Sequence, residues 1–362
     1  MARILYGVHG TAHGHAIRAL TVARAFLQHE FLFLTYGRGA AVLAPEFPVA
    51  ELSGPLTVFR RHRVALGATV WQNAQILLGA PRFLAQAAQI LKDFGPDVCL
   101  SDYEFWTPLA ARQAGVPCLS LDHQHVITLC RHTIPRSQAW PHFTTGLAVR
   151  LLFSQAREYL ITSFYRPPVK PGTQARLTAP LLRESVLSRR PRPGDHVVAY
   201  QSVATFPAFV PFLRSLSRPV MVYGFHQEAR DGNLTFKRNS EEGFLEDLAS
   251  CAYVICGGSH TLMSEALYFG KPVLSFPIQN AFEQFLNAHY LERLGYGAAC
   301  LDFRPGPGLI ADFESRLPQF RENLAQGDFC GNREIFRLLA CFLEHRTLFP
   351  RPRPVPANGP AG

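Results

Sequence analysis

The sequence predicts an α/β protein built from two doubly wound, parallel-sheet domains that face each other across a cleft. Three observations predict it. Short apolar runs alternate with helical patterns through the first half of the chain. A stretch with six prolines, Arg166–Asp195, interrupts the alternation. The same plan then restarts, and 362 residues suit two domains of ordinary size.

The elements run in order. Ile4-Leu5-Tyr6 is a short apolar strand followed by a glycine-rich turn. After Gly14, residues Leu20, Ala23 and Leu27 fall on one face of a helix at i, i+3, i+7. Phe31–Leu34 reads as a second strand, and Trp71–Phe94 as one or two helices broken near Gly79-Ala80-Pro81. Asp97–Leu100 and Pro117–Leu121 read as strands around a helix at Pro108–Ala114. Such alternation implies a parallel sheet covered on both faces. Beyond the prolines, His196–Tyr200, Pro219–Tyr223, Tyr253–Cys256 and Pro272–Ser275 read as strands. Phe206–Leu216, Gly243–Ala249, Thr261–Phe269 and Ala281–Leu294 read as helices, and Glu334–Leu348 as a last amphipathic one. The expected organisation is a first domain over 1–165, a linker over 166–195, a second domain over 196–348 and a disordered tail over 349–362.

Composition bounds the function. Apolar residues at 48% and charged residues at 17% suit a filled core and argue against disorder. No apolar run reaches the roughly 20 residues of a membrane span, and Met1-Ala2-Arg3 shows no signal-peptide pattern. A cytoplasmic protein is expected. Its eight cysteines lack CxxC spacing, and Cys99, Cys118 and Cys256 sit inside strand-like runs, so reduced structural cysteines are expected. A formal charge of +9 attracts phosphates. The basic groups Arg60-Arg61-His62-Arg63 and Arg189-Arg190-Pro191-Arg192 accompany no nucleic-acid module, so no nucleic-acid partner is expected.

In open α/β sheets ligands bind beyond the carboxyl ends of the strands, which directs attention to the strand-to-helix turns. The first is Gly7-Val8-His9-Gly10-Thr11-Ala12-His13-Gly14-His15. Its glycines permit a tight turn and close ligand approach, and the following helix offers free N–H groups. The spacing is not GxGxxG, and the second strand ends in Thr35-Tyr36 without an acidic residue for an adenosine ribose, against a nicotinamide enzyme. A histidine here can act as a general base near neutral pH. Asp102, at the end of Cys99-Leu100-Ser101-Asp102, would share the rim and orient it, or else cap a turn. A metal site from His13 and His15 with His123 and His125 is a rival reading, lacking a carboxylate at ligand spacing; no metal is expected.

The second informative turn is Val254-Ile255-Cys256-Gly257-Gly258-Ser259-His260-Thr261, running into Leu262–Leu267. Glycines, hydroxyls and a helix N-terminus make an anion cradle. Glu265, one turn in, is placed to accept hydrogen bonds from ribose hydroxyls. Asn280, Glu283, Gln284 and Asn287 cluster at the next helix start, where they could read sugar hydroxyls or cap the helix.

The run Gly257–Gly297 resembles the donor-binding region of GT-B glycosyltransferases, in the branch of UDP-glucuronosyltransferases and the family-28 enzyme MurG. Gly257-Gly258, Glu265-Ala266-Leu267, Gly270-Lys271-Pro272, Pro277, Glu283-Gln284, Asn287-Ala288 and Leu294-Gly295 carry the likeness. Gly14-His15 with Arg18, and the joining phrase Ala179-Pro180-Leu181-Leu182-Arg183, extend it. The resemblance implies two Rossmann-like GT-B domains and inverting transfer from a nucleotide sugar, expected to be a UDP-sugar, to an acceptor hydroxyl. Gly257, Gly258, Ser259, His260 and Thr261 would hold the diphosphate with Ser202 and Gly14 nearby, Glu265 the ribose, and Glu283, Gln284 and Asn287 the sugar. His15 or His13 would be the base and Asp102 its helper. Neither metal nor cofactor is implied, the nucleotide sugar being a co-substrate. The loop departs from the family's Gly-Gly-Thr-Gly-Gly-His by Ala12 and an additional histidine, so both histidines stay candidates. Val58–Val64 and the apolar residues to Leu91 could meet a membrane or a lipid-linked acceptor, or form a plain basic loop; a glycan acceptor is equally compatible. The alternatives are a nucleotide-sugar epimerase of the same fold and a non-catalytic nucleotide-sugar-binding protein.

Overall fold

In the computed structural model, residues 1–350 are described apart from 12, 202–205, 239 and 302–304, and the side chain of Pro307 is not described. Two seven-stranded sheets form the frame. The first contains β1 (Arg3–Val8), β2 (Glu30–Thr35) and β3 (Val49–Glu51). A two-stranded ribbon of β4 (Phe59–Arg60) and β5 (Arg63–Val64) stands apart from it. The first sheet continues with β6 (Val98–Asp102), β7 (Cys118–Asp122), β8 (Glu158–Thr162) and β9 (Ala175–Thr178). Its order is β3-β2-β1-β6-β7-β8-β9, parallel throughout. β6, β7 and β8 are buried on both faces, as central strands of a covered parallel sheet must be. Alternation sorts the side chains: Ile4, Tyr6 and Val8 enter one core cluster while Leu5 enters another.

The second sheet holds β10 (Val197–Tyr200), β11 (Val220–Tyr223), β12 (Ala229–Asp231), β13 (Leu234–Phe236), β14 (Tyr253–Cys256), β15 (Val273–Ser275) and β16 (Gly297–Ala299). Its order is β12-β13-β11-β10-β14-β15-β16, and only β12 runs antiparallel to its neighbour. Strand order reverses between β1 and β6 in one sheet and between β10 and β14 in the other. These are the switch points at which a crevice opens.

Three expectations are corrected. The helix after the first turn is His13–Ala25, so Leu27 lies beyond it and is exposed. Its apolar face is completed by Ala16, Leu20 and Ala23 instead. The stretch read as a linker, 166–195, supplies β9, which extends the first sheet through Tyr159↔Ala175 to Thr162↔Thr178. The last helix, Asn332–His345, crosses back to the first sheet: Ile335, Leu338, Leu339 and Phe342 share a cluster with Ile4, Val22 and Phe26. Its apolar stripe is satisfied there because the helix His13–Ala25 leaves matching apolar surface on that face. At the crossing, Leu182 N–H donates to Asn332 Oδ1 (2.9 Å) and Asn332 Nδ2 donates back to Leu182 O (2.7 Å).

Candidate active site

The first-domain part of the site lies at its switch point. Val8, at the end of β1, pairs with Asp102, at the end of β6. The chain leaving β1 enters the helix His13–Ala25 and so carries His15 to the same rim. His15 Nδ1–H donates to Asp102 Oδ1 at 2.7 Å. Asp102 is fully buried and His15 is 7% exposed. Arg18, one turn further along the helix, forks onto the same carboxylate: Nε to Oδ2 and Nη2 to Oδ1, both 2.6 Å.

The other histidines of the turn separate by environment. His9 is locked by Thr11 at 2.8 Å and by the Tyr36 hydroxyl at 3.1 Å. Burial, reinforced by His15, pushes its imidazole down to about 3. His13 is exposed. Desolvation and then Arg183 hold its imidazole below the ordinary range, with Glu241 opposing. Tyr103, immediately after Asp102, adopts a left-handed backbone with φ 53°. Its ring stacks on Phe153 at 3.9 Å and parallel to His15 at 6.1 Å. Strain of this kind concentrates at functional rims.

A second acid–histidine pair stands on the neighbouring strand. Asp122 Oδ2 accepts from His125 Nδ1 at 2.6 Å and from the Ser120 hydroxyl at 2.6 Å. Burial would raise the Asp122 carboxyl, but His125, Ser120 and the His125 N–H together hold it well below the usual range. His123 turns to the second domain, where Asn287 Oδ1 lies 2.8 Å from its Nε2. The four histidines of the metal reading are thus divided among Asp102, Asp122, Asn287 and solvent. Among the described residues no group of three or more His, Cys, Asp or Glu is arranged to hold a metal ion.

The second-domain part is the turn after β14. Gly258 N–H donates to Gln284 Oε1 (3.2 Å), and the same oxygen accepts from Ile278 N–H (2.9 Å). Gln284 therefore braces the glycine turn. Asn287 is fully buried and takes a bracing role too: its Nδ2 donates to Gly258 O at 2.9 Å, and its Oδ1 accepts from the Tyr165 hydroxyl at 3.0 Å. His260, expected as a phosphate ligand or a solvent-facing residue, is buried beneath His123 at 3.7 Å between ring centres. Burial, then His123 and Arg18, push its imidazole well down. Gly257, Ser259 and Thr261 are half-buried. Ser259 opens the helix His260–Tyr268 without a side-chain capping bond. Ser202 lies outside the described residues.

The two halves touch. Gly14 faces Thr261. Gln124 Nε2 donates to Glu283 Oε2 at 3.2 Å. The β4–β5 ribbon reaches across, with Val64 N–H on Gln279 O (3.0 Å) and Gln279 N–H on His62 O (2.9 Å). Glu265, 3% exposed, has both oxygens engaged by Arg183 from the interdomain crossing, at 2.8 Å and 3.0 Å. Burial raises the Glu265 carboxyl, and Arg183 opposes the shift.

Sequence reasoning gave no role to Tyr165, counted Arg18 and Arg183 only among the residues carrying the resemblance, and placed His123 only in the rival metal reading. Arg18 had a readable signal, being three residues beyond His15 on one helix face. The other three meet their partners only through the fold.

Residues 2–318 match the sequence profile of glycosyl transferase family 1. An uncharacterised glycosyltransferase of Methanosarcina mazei is 25% identical over 355 residues, covering 86% of this chain and 88% of the relative. One from Methanosarcina acetivorans is 24% identical, with 86% and 88% covered. Among solved structures, the kitacinnamycin glycotransferase superposes with a TM-score of 0.65 at 17% identity, covering 94% of this chain and 98% of that one. MurG of Acinetobacter baumannii gives 0.61 at 15% identity, with 94% and 100% covered. The Streptomyces glycosyltransferase SsfS6, complexed with thymidine diphosphate, gives 0.56 at 17% identity, with 94% and 100% covered. With its two facing parallel sheets, the chain has the GT-B fold and belongs to glycosyl transferase family 1.

Proposed function

We propose that the protein transfers a sugar, with inversion, from a nucleotide sugar to an acceptor hydroxyl, and that His15 is the base. The observation that carries this reading is the buried His15–Asp102 pair, set at the switch point of the first sheet beside the glycine turn of the second domain. Asp102 fixes the ring with Nδ1 protonated, so Nε2 receives the proton of the acceptor hydroxyl. The acceptor oxygen forms its bond to the anomeric carbon as the bond from that carbon to the diphosphate oxygen breaks. The nucleoside diphosphate leaves with its electron pair. Gly257, Gly258 and the hydroxyls of Ser259 and Thr261 hold that anion at the start of the helix His260–Tyr268, which supplies N–H groups and partial positive charge without a catalytic metal. Glu265 takes the ribose by exchanging its bonds with Arg183, and Glu283 faces the sugar. The thymidine diphosphate bound to SsfS6 supports a nucleoside diphosphate in this fold; a UDP-sugar is the donor proposed.

Calorimetry with UDP, GDP and dTDP, on wild type and on Glu265→Ala, tests the donor site. Micromolar binding of one nucleotide, lost in the variant, is the expected result. Absence of binding by all three to folded protein overturns the reading.

The acceptor is proposed to be met at an anionic lipid surface. Residues 52–92 hold five basic and no acidic residues, and residues 123–157 hold four basic and none acidic; these nine equal the net charge of the whole chain. The same segments carry nine of the thirteen large apolar side chains exposed among the described residues. The helix Leu66–Leu78 buries none of its side chains. The helix Ala139–Leu152 buries only Gly146 and Val149 while presenting Trp140, Phe143, Leu147 and Leu151 on one stripe. Ile76 and Leu152 lean on the same core cluster. Cationic residues around exposed aromatic and aliphatic groups suit a peripheral contact. No described helix is long and apolar enough to cross a membrane. Co-flotation with phosphatidylglycerol vesicles but not phosphatidylcholine vesicles, lost in Trp140→Ser/Phe143→Ser, is expected; equal behaviour on both vesicles removes the lipid surface.

A further inference from the structure

We propose that Arg18 is the positioning residue of the His15–Asp102 pair: it pins the carboxylate and cancels its charge, so that Asp102 orients the ring without drawing a second proton onto it. The inference rests on His15 as the base.

Three observations carry it. The guanidinium makes a two-bond fork onto Asp102, at 2.6 Å for each bond, the geometry that fixes a carboxylate's plane most firmly. Asp102 Oδ1 accepts from Arg18 Nη2 and from His15 Nδ1 together, which brings Nη2 to 3.1 Å from the ring nitrogen. A cation in contact with an imidazole opposes its becoming a second cation. All three groups are buried, at 7% exposure or less, so water screens little of this.

The molecule also holds a comparison. On the adjacent strand end, Asp122 orients His125 at 2.6 Å, with Ser120 and a backbone N–H on the carboxylate in place of an arginine. Orienting an imidazole therefore needs no guanidinium in this sheet. What Arg18 adds at Asp102 is charge. A buried carboxylate left uncompensated would favour the imidazolium, and an imidazolium cannot accept a proton from an acceptor hydroxyl.

The surroundings are specific. Tyr6 on β1 and Asp122 on β7 act on Arg18. His9 lies edge-on to His15 at 5.3 Å between ring centres, and Tyr103 stacks parallel to it. His123, just after β7, and His260, across the interface, feel Arg18 as a repelling charge. Of these, Arg18 alone carries a permanent positive charge.

The test is a histidine-resolved NMR titration of the whole protein, with the His15 signal assigned by its loss in His15→Gln. In Arg18→Gln, which keeps a hydrogen-bond donor but loses the charge, His15 is expected to take its second proton at a pH higher by about one unit, a tenfold gain in proton affinity. In Asp102→Asn, which leaves the guanidinium uncompensated, the shift is expected in the opposite direction. Should Arg18→Gln fail to fold, Arg18→Met, which keeps the length of the side chain and also loses the charge, is titrated in its place. A midpoint unchanged in the folded Arg18 variant overturns the inference and reduces Arg18 to a packing residue. Because the titration reads the ring whether or not it is the base, it fails independently of the transfer reading, which falls if His15→Ala retains turnover.

Discussion

Gly14 and Thr261 meet across the cleft so closely that a β-carbon on Gly14 would stand 2.5 Å from the Thr261 hydroxyl oxygen. The first turn of one domain therefore rests on the glycine turn of the other, and the absence of a side chain at 14 permits it. Gly14→Ala is expected to hold the two turns apart and lower kcat/KM about a hundredfold, since small misplacements of reacting groups cost that much. The change should leave the melting temperature of the protein within a few degrees of wild type. Adding Thr261→Ser, which trims the methyl group and frees the rotamer, should recover part of the loss. A double variant no better than the single one would show that the contact is not the cause.

His15→Ala and Asp102→Asn are expected to lower the transfer rate by about 10²–10⁴ fold without weakening nucleotide binding. Nucleoside diphosphate release and calorimetry on the same preparations separate the two effects. The corresponding change at His13, which is exposed and among the described residues has no carboxylate partner at hydrogen-bond distance, should cost less than tenfold. Equal losses at positions 13 and 15 would move the base.

Removing Arg183 leaves Glu265 buried without its fork. Breaking a buried pair from one side costs about 3–5 kcal/mol, and the 14% exposure of the Arg183 side chain puts the expectation at the lower end. Urea unfolding of Arg183→Ala should show a midpoint well below wild type at pH 7. The deficit should shrink as the pH is lowered and the stranded carboxyl takes up a proton. A midpoint equal to wild type would mean that the ribose position is already open to solvent.

Several buried and half-buried imidazoles are held below their ordinary range. Burial takes His132 down to about 4 and His9 to about 3, and moves His62, His123 and His260 in the same direction. In this window the unfolded chain binds more protons than the folded one, so stability falls as the pH drops from about 6.5 toward 3. Each such histidine contributes a slope on the order of 1.4 kcal/mol per pH unit while only its unfolded form is charged. Melting temperatures measured from pH 7 to pH 4 should decline steeply. His9→Asn should flatten the decline, and an unaltered slope would place the acid sensitivity elsewhere.

Much of the frame was legible because it is written locally. The apolar runs at Ile4–Tyr6, Cys99–Asp102 and Val254–Cys256 are the central strands, and the glycine turns after β1 and β14 fall at the two switch points. The pairing of His15 with Asp102 followed from the rule that neighbouring parallel strands end on one rim. The bracing roles of Gln284, Asn287 and His260 were not legible. An amide at a helix start has one pattern in sequence whether it faces a sugar or ties down a backbone carbonyl. Only the partner, Gly258 or His123 here, distinguishes them. Leu27 misled for a similar reason: helical spacing continues past Ala25, but the core that would receive it does not. β9 was hidden by prolines that flank a sheet-edge strand without entering it.

The return of the helix Asn332–His345 to the first sheet means that the polypeptide passes between the domains twice. The two passages lie side by side, sewn together by the reciprocal bonds of Leu182 and Asn332 and by Gly331 N–H on Pro180 O at 2.7 Å. Two adjacent pivots define a line. The inexpensive motion of such a body is rotation about that line, while sliding or twisting would break the seam. Any parting of the domains is then expected to run like the covers of a book, separating Gly14 from Thr261 and bringing them back together on closing.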